Sequence, residues 1–307
     1  MTVDGSVVDG TERRLGSAAV RVGAISFGCW RFVGTEVGAD AALIEHALDL
    51  GMNLVDTADV YGLDWGGSGF GGNELALGEV LRHRPALRER MVLATKIGIV
   101  PGVPYVSDPE YLVSATEASL HRLGTDYVDL LQIHRPDVFT HPERVADALV
   151  ALHVRGLVRS VGVSNHTPAQ VKSLAAQLLA RGISMATNQP EFSALRLNAM
   201  RDGGLDVCIE LGLTAMAWSP LAGGRLATGH NVPKALNAVL RRLASRESVT
   251  PAAIAVAFVL AHPARPVAVI GTQNPERLAE LAAATSVHLD RTDVYSIIQA
   301  SDGSPLP

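Results

Sequence analysis

Apolar runs of strand length recur along this chain about every 30 residues, each followed by a helix-like stretch, a pattern that belongs to folds built on a parallel sheet. The strand candidates are Ala24–Trp30, Asn53–Ala58, Met91–Ile97, Asp129–His134, Ser160–Asn165, Met185–Gln189, Thr214–Ser219 and Pro266–Gly271. Most are continuous apolar runs, as expected for strands covered on both faces. Helix candidates lie between them: Ala39–Leu50, Asn73–His83, Asp108–Arg122, Pro142–Val154, Pro168–Arg181 and Pro275–Ala284. Thr167-Pro168 and Asn274-Pro275 place a capping residue before a first-turn proline, and Gly124 and Gly212 suit left-handed helix ends. Eight such units with no dividing linker predict one α/β domain over 1–307, a closed (β/α)8 TIM barrel, with 1–12 and 301–307 as flexible tails. Ahead of the first strand, Arg13–Val22 reads as a short hairpin around Gly16-Ser17, covering the bottom of the barrel.

Composition narrows the function. Of 307 residues, 48% are hydrophobic and 19% charged, enough apolar material for a large core. A formal charge of -5 gives no reason to expect nucleic acid or an anionic membrane as partner. The most apolar stretch, Ala252–Ala261, is too short to span a bilayer. Two cysteines, Cys29 and Cys208, and a polar start point to a reducing cytoplasm. Nothing in the sequence fixes an oligomeric state.

Four of the apolar runs end on residues suited to proton or hydride transfer: NLVDTADVYG on Asp56 and Tyr61, VLATK on Lys96, DLLQIH on His134, and SVGVSN on Ser164 and Asn165. In a parallel barrel all strand carboxyl ends share one face, so these residues converge at one mouth. A phenol, with a pKa of about 10, is a weak acid for a developing alkoxide at neutral pH. A lysine about 4 Å away favours the phenolate by roughly 4 kcal/mol at an effective dielectric of about 20. Asp56 would hold Lys96 charged, Lys96 would lower the Tyr61 pKa, and a neutral His134 would orient a carbonyl oxygen.

These residues resemble the aldo-keto reductase signature of Asp, Tyr, Lys and His. GLVRSVGVSN (156–165), NQPEFS (188–193), WSPLAGGRL (218–226) and IGTQNPERLAE (270–280) resemble that family in order and spacing. The resemblance implies a cytoplasmic NADPH-dependent oxidoreductase that reduces an aldehyde or ketone, with Asp56, Tyr61, Lys96 and His134 catalytic. NADH is the second cofactor choice, because Gln273-Asn274 stands where many members carry a lysine or serine.

The resemblance further assigns Ser164, Asn165 and Gln189 to the nicotinamide carboxamide and Trp218 to its ring. Ser219, Leu221, Gly223 and Gly224 fall to the pyrophosphate, and Gly271, Thr272, Arg277 and Glu280 to the adenosine end. Gly28, Trp30 and Asp56 complete the cofactor set. Asp290–Pro307 reads as a short tail after the last helix, implying an open substrate pocket lined by Trp30, Trp65, Arg135 and Phe139.

The glycine-rich connection Gly62–Gly72 reads equally as a mobile surface loop or as a lid. A second functional class is a redox sensor that binds nicotinamide with little turnover, as in potassium-channel β-subunit relatives. A metal-dependent hydrolase using Asp56, Asp59 and His134 is the weakest reading, since His134 is the only histidine at a confident strand end.

Overall fold

A computed structural model describes residues 5–305. A two-stranded antiparallel hairpin, β1 (Arg13–Arg14) and β2 (Arg21–Val22), precedes eight parallel strands. These are β3 (Ile25–Gly28), β4 (Leu54–Asp56), β5 (Val92–Ile97), β6 (Val128–Ile133), β7 (Val158–Ser164), β8 (Met185–Gln189), β9 (Thr214–Trp218) and β10 (Val267–Ile270). They pair in sequence order, and β10 closes on β3, so the sheet is the expected (β/α)8 TIM barrel.

The helices form the outer ring. They are α1 (Val37–Asp49), α2 (Gly72–His83), α3 (Ala86–Arg90), α4 (Pro109–Leu123), α5 (Pro142–Val154), α6 (Pro168–Leu179), α7 (Asp206–Leu211), α8 (Arg225–Thr228), α9 (Lys234–Glu247), α10 (Pro251–Leu260), α11 (Pro275–Ala282) and α12 (Arg291–Asp302). The Thr167 side chain caps α6 reciprocally with Gln170, and Asn274 Oδ1 accepts from the Arg277 N–H at 3.0 Å to start α11. Proline at each first turn costs nothing, because that N–H would have no helical partner. α10 is buried from Ala252 to Leu260, and among the described residues no single helix is long and apolar enough to cross a membrane.

Two apolar layers meet at the strands. The larger fills the space between strands and helices. The smaller lies inside the barrel, where Leu54, Val92, Ala94, Leu130, Met216 and Val267 pack with Leu15 and Val22 of the hairpin. The hairpin therefore plugs the bottom by burying two of its own side chains in the barrel's interior cluster.

Two expectations are corrected. The tail expected over 1–12 is tied down in its described part: the Val7 N–H donates to Leu289 at 2.8 Å, and Asp9 pairs with Arg13 and Arg265. The segment after Asp290, expected as a short stretch beyond the last helix, is itself helical: it forms α12, whose Asp293 pairs with Arg246 of α9 at 2.7 Å. At its end Asp302 pairs with Arg201, and 1–4 and 306–307 lie outside the described residues.

Candidate active site

Period-two alternation builds the inner face. Leu54 on β4, Ala94 on β5 and Leu130 on β6 point into the barrel, so Asp56, Lys96 and Gln132, two positions on, point inward one layer higher. Strand register carries that layer onward, with Lys96 opposite Gln132, Gln132 opposite Gly162, and Gly162 opposite Thr187. Gly162 is glycine because a Cβ there would stand 1.9 Å from the Thr187 hydroxyl.

Lys96 is 1% exposed, and its ammonium donates to Asp56 Oδ2 and to the Thr57 carbonyl, each at 2.7 Å. An ammonium has three N–H bonds, and the third faces Tyr61, whose ring centroid lies 5.0 Å from Nζ. Burial alone would lower the Lys96 pKa; the Asp56 carboxylate and Tyr61 reverse this and hold it above the ordinary lysine value. Asp56 Oδ1 receives Gln189 at 3.3 Å and Gln132 at 3.4 Å.

The Tyr61 and His134 rings stand nearly perpendicular, 5.8 Å apart. Burial, then the charges of Lys96 and Arg135, drive the His134 pKa well below 6.5, so its imidazole is neutral at pH 7. The Tyr61 phenol departs from expectation: burial raises its pKa, and Lys96 offsets this only in part. The sequence reading weighed the ammonium but not the loss of water around the hydroxyl.

The strand ends around this tetrad are joined by a chain of hydrogen bonds. Trp218 Nε1 donates to Asn165 Oδ1 at 2.9 Å, Asn165 Nδ2 to the His134 carbonyl at 3.2 Å, and Ser164 Oγ to the Gln189 carbonyl at 2.9 Å. The indole plane is thereby fixed at the mouth, with the Arg135 guanidinium 5.9 Å from its centroid. On the opposite side, Asn73 donates to the carbonyls of Cys29 and Trp30 and sets the turn that follows Gly28. Trp30 packs at a right angle to Trp65 with centroids 5.7 Å apart, and 6.5 Å from the Tyr61 ring. Phe139 stands apart, 96% exposed and paired with no ring among the described residues.

The residues after β9 and β10 fit a phosphate-bearing ligand. Gly223 and Gly224 have φ of +71° and +96°, and a Cβ on either would meet nothing within 4 Å, so this loop offers bare backbone to open space. Ser219 and Ala222 hold left-handed backbones at φ of +51° and +50° to make that turn. Gly271 and Thr272 are half-buried, while Arg277 and Glu280 are exposed on α11. Among the described residues, no three His, Cys, Asp or Glu side chains converge as a metal-binding group.

Sequence reading missed Gln132, Thr187 and Arg31. Gln132 sits two residues before His134 in DLLQIH, so strand alternation alone placed it inside the barrel. Thr187 and Arg31 carried no local signal, because one depends on cross-barrel register and the other on a long side chain's direction.

The barrel, the buried Asp56, Lys96 and His134 with the half-buried Tyr61, and the exposed backbone cradle define an oxidoreductase of the aldo/keto reductase family, to which this chain belongs. The sequence model of the Aldo/keto reductase family matches residues 24–302. The chain is 46% identical over 298 residues to a 6-dehydroglucose reductase of Novosphingobium aromaticivorans, covering 96% of this chain and 97% of the relative. It is 36% identical to the oxidoreductase YdhF of Escherichia coli, over 91% of this chain and 94% of the relative. A 6-dehydroglucose reductase of Agrobacterium fabrum is likewise 36% identical, over 91% and 94%. A thermostable aldo-keto reductase solved with the inhibitor epalrestat shares the fold, with a TM-score of 0.80, 24% identity, and coverage of 94% of this chain and 99% of that one. Aldo-keto reductases use nicotinamide cofactors, and the donor set here suits one.

Proposed function

We propose that this protein is an NADPH-dependent carbonyl reductase and that its substrate is a sugar aldehyde of the 6-dehydroglucose type, reduced at that aldehyde to a primary alcohol. The observation that carries the reaction is the buried Lys96–Asp56 pair at 2.7 Å with Tyr61 and His134 beside it. The substrate class rests on two relatives of that name, each aligned over more than nine-tenths of its length.

When bound, the nicotinamide cofactor supplies the hydride, and the chain supplies position and the proton. Tyr61 donates its hydroxyl proton to the carbonyl oxygen as negative charge develops there. Lys96 faces the resulting phenolate and stabilises it in a site with little water. Asp56 keeps Lys96 charged and fixed. The neutral His134 donates a hydrogen bond to the same oxygen and sets the carbonyl's direction.

Ser164, Asn165 and Gln189 are assigned to the carboxamide and Trp218 to the ring face. Gly28, Ser219, Leu221, Gly223, Gly224, Gly271 and Thr272 are assigned to the sugar-phosphate backbone. Arg277, exposed at the first turn of α11, supplies a cation for a 2′-phosphate, which favours NADPH over NADH. Glu280 falls near adenine, and Trp30, Trp65, Arg135 and Phe139 are assigned to the substrate mouth.

The test is NADPH oxidation followed at 340 nm with 6-dehydroglucose and a panel of simple aldehydes. Tyr61→Phe is expected to keep NADPH affinity and lose nearly all turnover. Wild-type turnover in that variant would remove Tyr61 as proton donor. Tight NADPH binding by wild type with no turnover on any carbonyl would favour a redox sensor.

A further inference from the structure

Arg31 projects from the turn after β3 to the loop after β9, where its Nη2 donates to the Gly223 carbonyl at 3.1 Å. The same guanidinium lies 4.1 Å from the centroid of the Trp65 ring, which comes from the glycine-rich loop after β4. One side chain thus joins three loops at the catalytic face. We propose that Arg31 binds the pyrophosphate of the dinucleotide and that Trp65 holds its guanidinium in place, which makes the glycine-rich loop part of the cofactor's hold. This rests on the reading above that Ser219–Gly224 receives the pyrophosphate.

Four observations support it. First, a guanidinium has five N–H donors, and Gly223 is its sole hydrogen-bond acceptor among the described residues. No carboxylate stands within ion-pair distance of Arg31 among those residues, so its charge remains available for an anion. Second, its one acceptor is the carbonyl of a residue whose surroundings are open space. A phosphate oxygen is a stronger acceptor than a carbonyl and matches the guanidinium fork with paired bonds. Third, the other arginine at this loop, Arg225, is turned back onto the Ala222 carbonyl at 3.1 Å.

The fourth observation concerns Trp65. Its backbone φ is +59°, a conformation that a bulky side chain rarely adopts. Its ring packs edge-to-face with Trp30 and carries the Arg31 guanidinium over its plane. An aromatic face restrains a guanidinium without neutralising it, so the cation is held ready and remains free to pair. The loop thereby acts on the cofactor without touching it, through Arg31.

The experiment measures NADPH affinity and dissociation rate from the reduced cofactor's own fluorescence, for wild type, Arg31→Met, Arg31→Lys, Trp65→Ala and the Met/Ala double variant. Arg31→Met is expected to weaken binding about tenfold and to flatten its salt dependence, with Lys restoring most of the affinity. Trp65→Ala is expected to speed dissociation about threefold, and the double variant to behave like Arg31→Met alone. Melting temperatures should stay close to wild type, because both side chains lie at the surface.

Wild-type affinity in Arg31→Met, or full additivity in the double variant, would overturn the proposal and leave the reductase reading intact. Failure of the wild-type protein to bind either NADPH or NADH would remove both.

Discussion

The Lys96 ammonium lies 2.7 Å from the Asp56 carboxylate, on adjacent strands, with side-chain exposures of 1% and 3%. A buried pair of this kind is costly to break from one side, because the remaining charge has no water to solvate it. Lys96→Met is therefore expected to lose turnover and roughly 3–5 kcal/mol of stability in urea denaturation. Adding Asp56→Asn should return part of that stability and none of the activity. A Lys96→Met protein as stable as wild type would refute the pairing.

Asp59 supplies a pH prediction. It is 1% exposed, and among the described residues its Oδ1 has no hydrogen-bond partner while its Oδ2 accepts from the Tyr111 hydroxyl at 3.4 Å. Burial, with the Glu74 carboxylate nearby, raises its pKa to about 8. The folded pKa stands above the unfolded one, so stability is fully present below pH 3.8 and is lost as pH rises through about 8. Asp59→Asn should match wild type in thermal melts at acid pH and melt higher at pH 9. Equal melting temperatures at pH 9 would mean that this carboxyl is ionised at little cost.

His134 has the opposite sign. Its folded pKa is depressed, so its contribution is present above pH 6.5 and lost as pH falls further. His134→Gln should narrow the drop in melting temperature between pH 7 and pH 5, and should lower kcat by disturbing the carbonyl's alignment. An unchanged drop would show that acid instability arises elsewhere.

Gly162→Ala tests the inner layer. The added methyl would stand 1.9 Å from Thr187 Oγ1, which donates to Gln132 Oε1 at 3.0 Å, and Gln132 in turn reaches Asp56. Overpacking here is expected to cost about 1–3 kcal/mol, read from denaturant midpoints. Because strain there reaches Asp56 through two hydrogen bonds, kcat should fall more than KM rises. Stability within a few tenths of wild type would show that the strand shifts freely.

The barrel was legible in the sequence because parallel strands buried on both faces leave long apolar runs, as in Val92–Ile97 and Val128–Ile133. The four polar residues of the tetrad were legible because each ends or follows such a run. α12 was misread despite its own start signal, Asp290 with Asp293 three residues on, because its short apolar face follows the last barrel strand. The Tyr61 pKa was misjudged because burial is set by the packed loops around a residue and not by its neighbours in sequence. Arg31 reads as an ordinary surface arginine until the fold brings Gly223 and Trp65 to it.

The seam of the barrel lies between its first and last strands, with Ile25 paired to Ala268 and Phe27 to Ile270. A chain emerging from the ribosome cannot complete that seam until nearly all of it has been made. Before then Lys96 and Asp56 have no dry interior in which to pair. Turnover thus reports ring completion, and fragments ending before Val267 should be both inactive and prone to pair their open strand edges with one another.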